Sequence, residues 1–426
     1  MISFKSDFSK NILTLMTGTA VAQAIPLAMA PILTRLYTPD DFGILAIYMS
    51  LATVITVIVS FKYEVAIIIP EKDEDSANLT ILSIGIATCI SLLLLVCVLF
   101  FNEDIADLLT DNDENVAELA KWLYFIPLSV FLMGIFNALS FWYNRKMDFK
   151  KMATSKVANS VGNIGGQVVL GAAKITPQGL LIGFVIGRLI AVWYLLRLFL
   201  KHKEPVFGKV SRTGMIAMMK RYQRFPAYTL PAEAINVISN QLPIMVIGKF
   251  FGGGVLGNYA LVERILSAPI SLLGRSVLDV FKQKASEDYI QQGNCESIFV
   301  KTFKTLALLS LLPTLLLFFL SPYVFSFVFG KEWQMAGDFT QILAVLFFFK
   351  FISSPLSYMF NIAEKQHLDM LWQIGLFIVT IISFYIGVKK EDIKLALICF
   401  TAAYSFMYII NLYLSYSFSK GSTSRT

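Results

Sequence analysis

Read as a string of apolar and polar positions, the chain alternates apolar runs of about twenty residues with short polar connectors. That is the length at which a helix crosses a hydrocarbon layer of roughly 30 Å. The runs lie at about 12–33, 42–62, 79–101, 119–142, 153–173, 178–199, 226–249, 257–280, 301–323, 338–361, 368–388 and 393–415. They predict an all-α integral membrane protein with twelve transmembrane helices. Six fall in an N-terminal lobe over 1–200 and six in a C-terminal lobe over 226–426 that ends in a short tail, with a connecting loop at 201–225 between them. The first run contains Ala20-Val21-Ala22, which looks like a signal-peptide cleavage site. It continues through Pro26 and Pro31 to Leu33, so it is expected to be retained as a span bent at its two prolines.

Composition supports the membrane reading. With 56% hydrophobic and 15% charged residues and a mean hydropathy of +0.66, the chain has more apolar surface than a soluble fold of this length hides. Charge sets the orientation. Of the 36 Lys and Arg, 24 fall on the connectors that share a side with both termini, 8 on the opposite connectors and 4 inside spans (Arg188, Arg264, Arg275 and Lys350). The positive-inside rule therefore predicts that both termini and the central loop are cytoplasmic. The densest basic stretch is Arg197 to Arg224, with Lys201, Lys203, Lys209, Arg212, Lys220 and Arg221 against the single acid Glu204. Beside a membrane, these cations and the net charge of +7 answer to anionic lipid headgroups rather than to nucleic acid. Met215, Met218, Met219 and Tyr222 recur there at helical spacing and predict a short amphipathic helix at the interface.

A shift of 214 residues lays Arg35-Leu36-Tyr37 on Lys249-Phe250-Phe251 and Phe42-Gly43 on Leu256-Gly257. Because six is an even number of crossings, a duplication at this offset predicts two lobes related by a parallel repeat, with an axis along the membrane normal. Chance similarity of two apolar hairpins is the alternative.

Ionisable side chains inside spans mark candidate chemistry, because an Arg at mid-membrane costs about 2.5–3.5 kcal/mol on insertion scales and turns toward water or a partner. Arg264, Ser267, Ser271, Arg275 and Asp279 follow one another at steps of three and four and predict a continuous polar stripe on the eighth span. Glu233, Asn236 and Asn240 repeat this on the seventh, and Ser50, Thr53, Ser60 and Glu64 more weakly on the second. Plainer readings stand beside these: Arg275 pairing with Asp279 one turn away, or Glu233 pairing with Arg264 as packing between helices. Asn159, Asn163 and Gln167 read as interhelical hydrogen-bonding groups, and Gly162/Gly166 with Gly183/Gly187 as close helix packing. His202 and His367 lie in connectors, the four cysteines have no metal or disulfide spacing, and no phosphate-binding GxxxxGK[ST] run occurs. No cofactor or metal is expected, nor ATP hydrolysis by this chain.

Two stretches, Leu33-Thr34-Arg35-Leu36-Tyr37-Thr38-Pro39-Asp40-Asp41-Phe42-Gly43 and Lys62-Tyr63-Glu64-Val65-Ala66-Ile67-Ile68-Ile69-Pro70, resemble the signature of Wzx-type flippases. So do Phe225-Pro226-Ala227-Tyr228, Gly257-Asn258-Tyr259-Ala260-Leu261 and Val280-Phe281-Lys282-Gln283-Lys284-Ala285-Ser286. The resemblance covers essentially the whole chain. It implies two six-helix lobes around a central cavity, as in the multidrug and oligosaccharidyl-lipid exporter superfamily, in a bacterial inner membrane. The implied substrate is an undecaprenyl-diphosphate-linked O-antigen or capsule repeat unit, with a polysaccharide polymerase and a chain-length regulator as partners. Arg35, Arg188, Glu233, Asn236, Asn240, Arg264, Ser267, Ser271, Arg275 and Lys350 are the candidate cavity residues, and Glu64, Glu233 and Asp279 the candidates for coupling to H+ or Na+. Two other classes remain open: a cation-coupled multidrug exporter, expected to keep an acid-rich aromatic pocket, and a membrane enzyme of polysaccharide assembly, expected to carry a large outer loop or an intramembrane His.

Overall fold

The structure, a computed structural model, describes residues 2–110, 113–201 and 205–421, with backbone alone for 2–13, 113–115, 205–206 and 275–276. The described residues are almost entirely helical. The chain packs as two units, Met1–Gly254 and Val255–Thr426.

The first unit opens with α1 (Ile2–Ala28) and α2 (Ala30–Leu36), separated at Met29 between the two prolines that the sequence marks as a bend. A capping box starts α3 (Pro39–Ile58): Thr38 Oγ1 accepts from the Asp41 N–H at 3.3 Å, Asp41 Oδ2 accepts from the Thr38 N–H at 2.8 Å, and Pro39 takes the first turn, where its missing N–H costs nothing. A 3₁₀ segment at Tyr63–Ile68 leads into α4 (Asp73–Leu109). There follow α5 (Asp113–Leu123), α6 (Ile126–Arg145), α7 (Phe149–Ala172), α8 (Gln178–Lys201) and the short α9 (Arg212–Arg221). A π turn at Phe225–Thr229 precedes α10 (Leu230–Phe251). The α7–α8 pair packs backbone to backbone through the glycines that the sequence singles out. A Cβ on Gly187 would lie 2.5 Å from the Asn159 carbonyl oxygen, and one on Gly166 would lie 3.0 Å from the Gly183 Cα. Across the same seam Gln167 Nε2 donates to the Leu180 carbonyl at 3.1 Å.

The second unit continues α11 (Gly253–Pro269) into a π turn at Ile270–Gly274 and α12 (Arg275–Gln292). Then come α13 (Glu296–Phe329), α14 (Gln334–Leu356), the single turn α15 (Met359–Ile362), α16 (Gln366–Lys390) and α17 (Ile393–Ser419). Phe281, Phe299, Leu306, Phe351, Ile352 and Leu356 form a buried core among α12, α13 and α14. Asn258 Oδ1 accepts from the Ala336 N–H at 2.9 Å, and Ser353 Oγ donates to Asn411 Oδ1 at 2.8 Å, so buried polar groups also tie α11 to α14 and α14 to α17.

Ten helical stretches among the described residues are long and apolar enough to cross a membrane. The predicted spans 153–173 and 257–280 are helical but not among them. The first is diluted by Asn159, Asn163, Gln167 and its glycines, and the second is interrupted after Pro269. Packing also draws a boundary different from the 201–225 loop. α10 lies against α3, where a Cβ on Gly43 would collide with the Gly253 carbonyl, and so belongs with the first unit.

Within each unit, connectors that the charge rule puts on one side meet at one end. Asp73 pairs with Arg145 at 2.9 Å and Lys146 at 2.8 Å, and Glu74 with Lys209 at 2.5 Å, so the acidic run 71–75 serves as counter-charge to two basic connectors. Arg145 also donates to the Ile68, Pro70 and Glu71 carbonyls. At the opposite end Lys249 Nζ donates to the Asp107 carbonyl at 2.5 Å, and Gln178 Nε2 to Glu118 at 3.1 Å. In the second unit, the Cys295 N–H donates to the Ser419 carbonyl at one end, and Lys394 pairs with Asp338 at the other. The predicted amphipathic helix is α9. Ser211 caps it, Met218 and Tyr222 are buried, and the Tyr63 hydroxyl donates to the Met219 carbonyl at 3.1 Å.

Candidate functional site

In the first unit, the segment after α3 turns through Phe61 and Lys62, both with positive φ, which drives the Lys62 side chain inward. Its ammonium lies 2.7 Å from Glu233 Oε1 on α10 and 3.9 Å from Glu64 Oε1, while the Ser60 hydroxyl donates to Glu64 Oε2. The Lys62 and Glu64 side chains are 9% and 2% exposed, Glu233 43%. Burial above all raises the Glu64 carboxyl from its ordinary 4.5; Glu233 adds to the rise, and the Ser60 and backbone hydrogen bonds and Lys62 oppose it. Two of the three coupling candidates thus share one lysine, and the third, Asp279, is exposed on α12. Glu233 has an ion-pair partner in Lys62, a residue 171 positions away with no local signal for the contact.

Further along α10, Asn236 and Asn240 are exposed, with Asn240 Nδ2 donating to the Asn236 carbonyl and side-chain oxygens at 2.8 and 3.2 Å. Arg35 is exposed at the end of α2. Arg188 lies in α8 with its guanidinium over the Phe136 and Phe184 rings at 5.7 and 5.5 Å. Its buried Nε has no hydrogen-bond partner, and no acid pairs with it among the described residues. A guanidinium packed on aromatic faces keeps its donors available.

In the second unit, Arg264 is half-buried on α11, and no acid among that unit's described residues pairs with it. Ser267 is half-buried one turn on, and Ser271 Oγ donates back to the Ala268 carbonyl at 2.9 Å. The helical segment expected to carry a stripe over Arg264–Asp279 is not evenly wound. Pro269 has no N–H to give the preceding turn, and the helix widens to a π turn at Ile270–Gly274 before α12 resumes, which breaks the winding on which the stripe depends. The Arg275 side chain, and with it the pairing to Asp279, lies outside the described residues.

Lys350, half-buried on α14, sits over the Phe347 ring at 5.2 Å and within electrostatic reach of Glu263 on α11. Glu263 in turn faces the buried Tyr259 one turn back, and Tyr259 faces Tyr404 of α17, whose hydroxyl is 2.7 Å from Thr380 Oγ1 of α16. The structure therefore brings Lys350 together with an acid that the sequence reading overlooked. The signal was present: Glu263 is an acid inside a span, but its neighbour Arg264 drew the reading to the other face of the helix.

A chain with ten membrane-capable helices among its described residues, and ionisable groups set into them, is built as a multi-pass membrane protein. Solved structures share this fold. A lipid II flippase MurJ in an inward closed conformation superposes with a TM-score of 0.73 at 16% identity, covering 96% of this chain and 87% of that one. An inward-facing multidrug transporter of the MATE family, of the MOP superfamily, gives 0.67 at 12% identity over 94% and 93%. The chain belongs to the polysaccharide biosynthesis protein family, whose model matches residues 32–338. Among curated proteins it is similar to the lipopolysaccharide biosynthesis protein WzxC of Escherichia coli (strain K12), 23% identical over 84% of this chain and 70% of that one. It is also similar to the succinoglycan biosynthesis transport protein ExoT of Rhizobium meliloti (strain 1021), 23% identical over 74% and 61%. The teichuronic acid biosynthesis protein TuaB of Bacillus subtilis (strain 168) is 24% identical over 41% of this chain. The chain spans only 36% of TuaB's length and less than two thirds of ExoT's.

Proposed function

We propose that this protein is a flippase. It carries an undecaprenyl-diphosphate-linked oligosaccharide repeat unit of a surface polysaccharide from the cytoplasmic to the outer leaflet of a bacterial inner membrane. Alternating access between two six-helix lobes, built on twelve crossings with both termini cytoplasmic, provides the route. The observation that carries this reading is the pair of embedded guanidiniums, Arg188 and Arg264, each without an acid partner among the described residues of its own unit. A diphosphate headgroup supplies the missing anion. At an effective dielectric of about 20, one such pair at 4 Å gains ~4 kcal/mol before desolvation is subtracted. Family membership and the printed names of WzxC and ExoT point the same way. A lobe duplication is supported by one joint: α3 begins at Pro39 beyond a break after Leu36, and 214 residues later α11 begins at Gly253 beyond a break after Phe251.

Glu263 beside Lys350 is the leading group for coupling to H+ or Na+, with Glu64 and Glu233 held on Lys62 as the first unit's counterpart. This acid-and-tyrosine cluster is also the one observation that favours the second reading, a cation-coupled exporter of small molecules. Complementation of a strain lacking the gene decides between them. Arg264→Ala and Lys350→Ala should abolish surface polysaccharide with the protein still in the membrane, whereas Arg264→Lys and Lys350→Arg should retain part of it. Full polysaccharide in both alanine variants contradicts the cationic mechanism, and dye efflux without polysaccharide rescue by the unsubstituted protein establishes the exporter.

A further inference from the structure

The second unit holds a cavity of about 520 Å³ between α13, α14 and α17, apart from every residue assigned to transport above. Its walls are apolar: Phe299, Phe303 and Ala307 from α13, Phe348 from α14, Ile409 and Tyr413 from α17. Pockets that hold drug-sized ligands run to roughly 300–1,000 Å³, and an apolar cavity of about 150 Å³ already takes a benzene. The single charged residue in the lining is Lys304. Lys304 and Lys301, one turn earlier, are exposed, and neither ammonium has an acid partner among the described residues. Glu296 accepts from the hydroxyl of the lining residue Tyr416 at 2.7 Å, and Lys420 caps the Tyr416 ring at 4.3 Å.

We propose that this cavity binds one anionic phospholipid, with an acyl chain between Phe303, Phe348 and Tyr413 and the phosphate on Lys304 and Lys301. Three independent features select that occupant. First, α13 has 34 residues, so at 1.5 Å each it is roughly 50 Å long and outruns a hydrocarbon layer of about 30 Å. That excess length allows its first turns, with both lysines, to reach headgroup depth, with the apolar lining beyond them. Second, basic pockets between transmembrane helices on the cytoplasmic side are where anionic headgroups bind, and on the orientation proposed above this end is cytoplasmic. Third, Lys301, Lys304 and Lys420 against the acid Glu296 leave this end of the cavity positive, which suits a phosphate. No residue assigned to transport lines the site, and the binding itself does not depend on flippase activity.

The test is native mass spectrometry of the full chain equilibrated with micelles holding equal phosphatidylglycerol, phosphatidylethanolamine and undecaprenyl phosphate. One phosphatidylglycerol should be retained per chain in preference to the other two. Lys304→Gln should weaken that retention about fivefold, and Ala307→Phe, which fills the cavity, should remove it. The lipid preference of the unsubstituted protein decides the matter even where a variant fails to fold. Equal retention of phosphatidylglycerol and phosphatidylethanolamine, or retention unmoved by either substitution in folded protein, reduces the cavity to bulk lipid contact and overturns the proposal. Preference for undecaprenyl phosphate overturns it by naming a different occupant.

Discussion

Lys62 joins two elements of the first unit, since it binds a carboxylate from its own turn and another from α10. Its two partners differ in burial, and that difference is testable. Burial raises the Glu64 carboxyl, so the folded protein holds the Glu64 proton more tightly than the unfolded chain does. The stability this gives is complete below the unfolded value of 4.5 and is lost as pH rises through the folded value. Gln at this position still accepts from Ser60 but never ionises. Glu64→Gln should therefore shift the melting temperature, relative to the unsubstituted protein in the same detergent, more favourably at pH 7.5 than at pH 4. A shift in the opposite sense would mean that Lys62 holds Glu64 as a stabilised carboxylate. Lys62→Met should lower the melting temperature at pH 7.5, because Glu64 then keeps a buried charge without its cation.

The elements divide into those whose signals are local and those whose signals are not. The break between α1 and α2 follows from Pro26 and Pro31, and α9 from the spacing of Met218 and Tyr222 around its basic residues; both were legible in the sequence. The α7–α8 seam was legible too, because glycines four apart have few other uses in apolar helices. The π turns at Phe225–Thr229 and Ile270–Gly274 were not, since a reading at 3.6 residues per turn assumes the winding that they violate. Nor were the Lys62–Glu233 and Glu263–Lys350 encounters, which depend on how distant helices pack. The π turn beside Pro269 limits the wetted face of α11. Single cysteines at Arg264 and Ser267 in a cysteine-free background should react with a polar thiol reagent, and one at the buried Leu266 should not. Equal labelling at all three would remove the distinction between the faces of α11. Pro269→Ala should allow α11 and α12 to run on as one α-helix, and surface polysaccharide should fall while membrane expression holds.

At the scale of the whole molecule, the chain is a multi-pass membrane protein of the polysaccharide biosynthesis protein family. Among the described residues Arg188 and Arg264 lack acid partners in their units, and Lys350 has Glu263 within electrostatic reach. On the function proposed above, this bias suits an anionic headgroup. The most direct measurement uses purified protein in liposomes loaded on both leaflets with an undecaprenyl-diphosphate-linked oligosaccharide, whose outer-leaflet sugars are removed by an impermeant glycosidase. With the protein present, cleavage should run past the outer-leaflet half toward completion, whereas liposomes carrying Arg264→Ala should stop at half. Cleavage that stops at half with the unsubstituted protein, under an imposed proton or sodium gradient of either direction, contradicts the account.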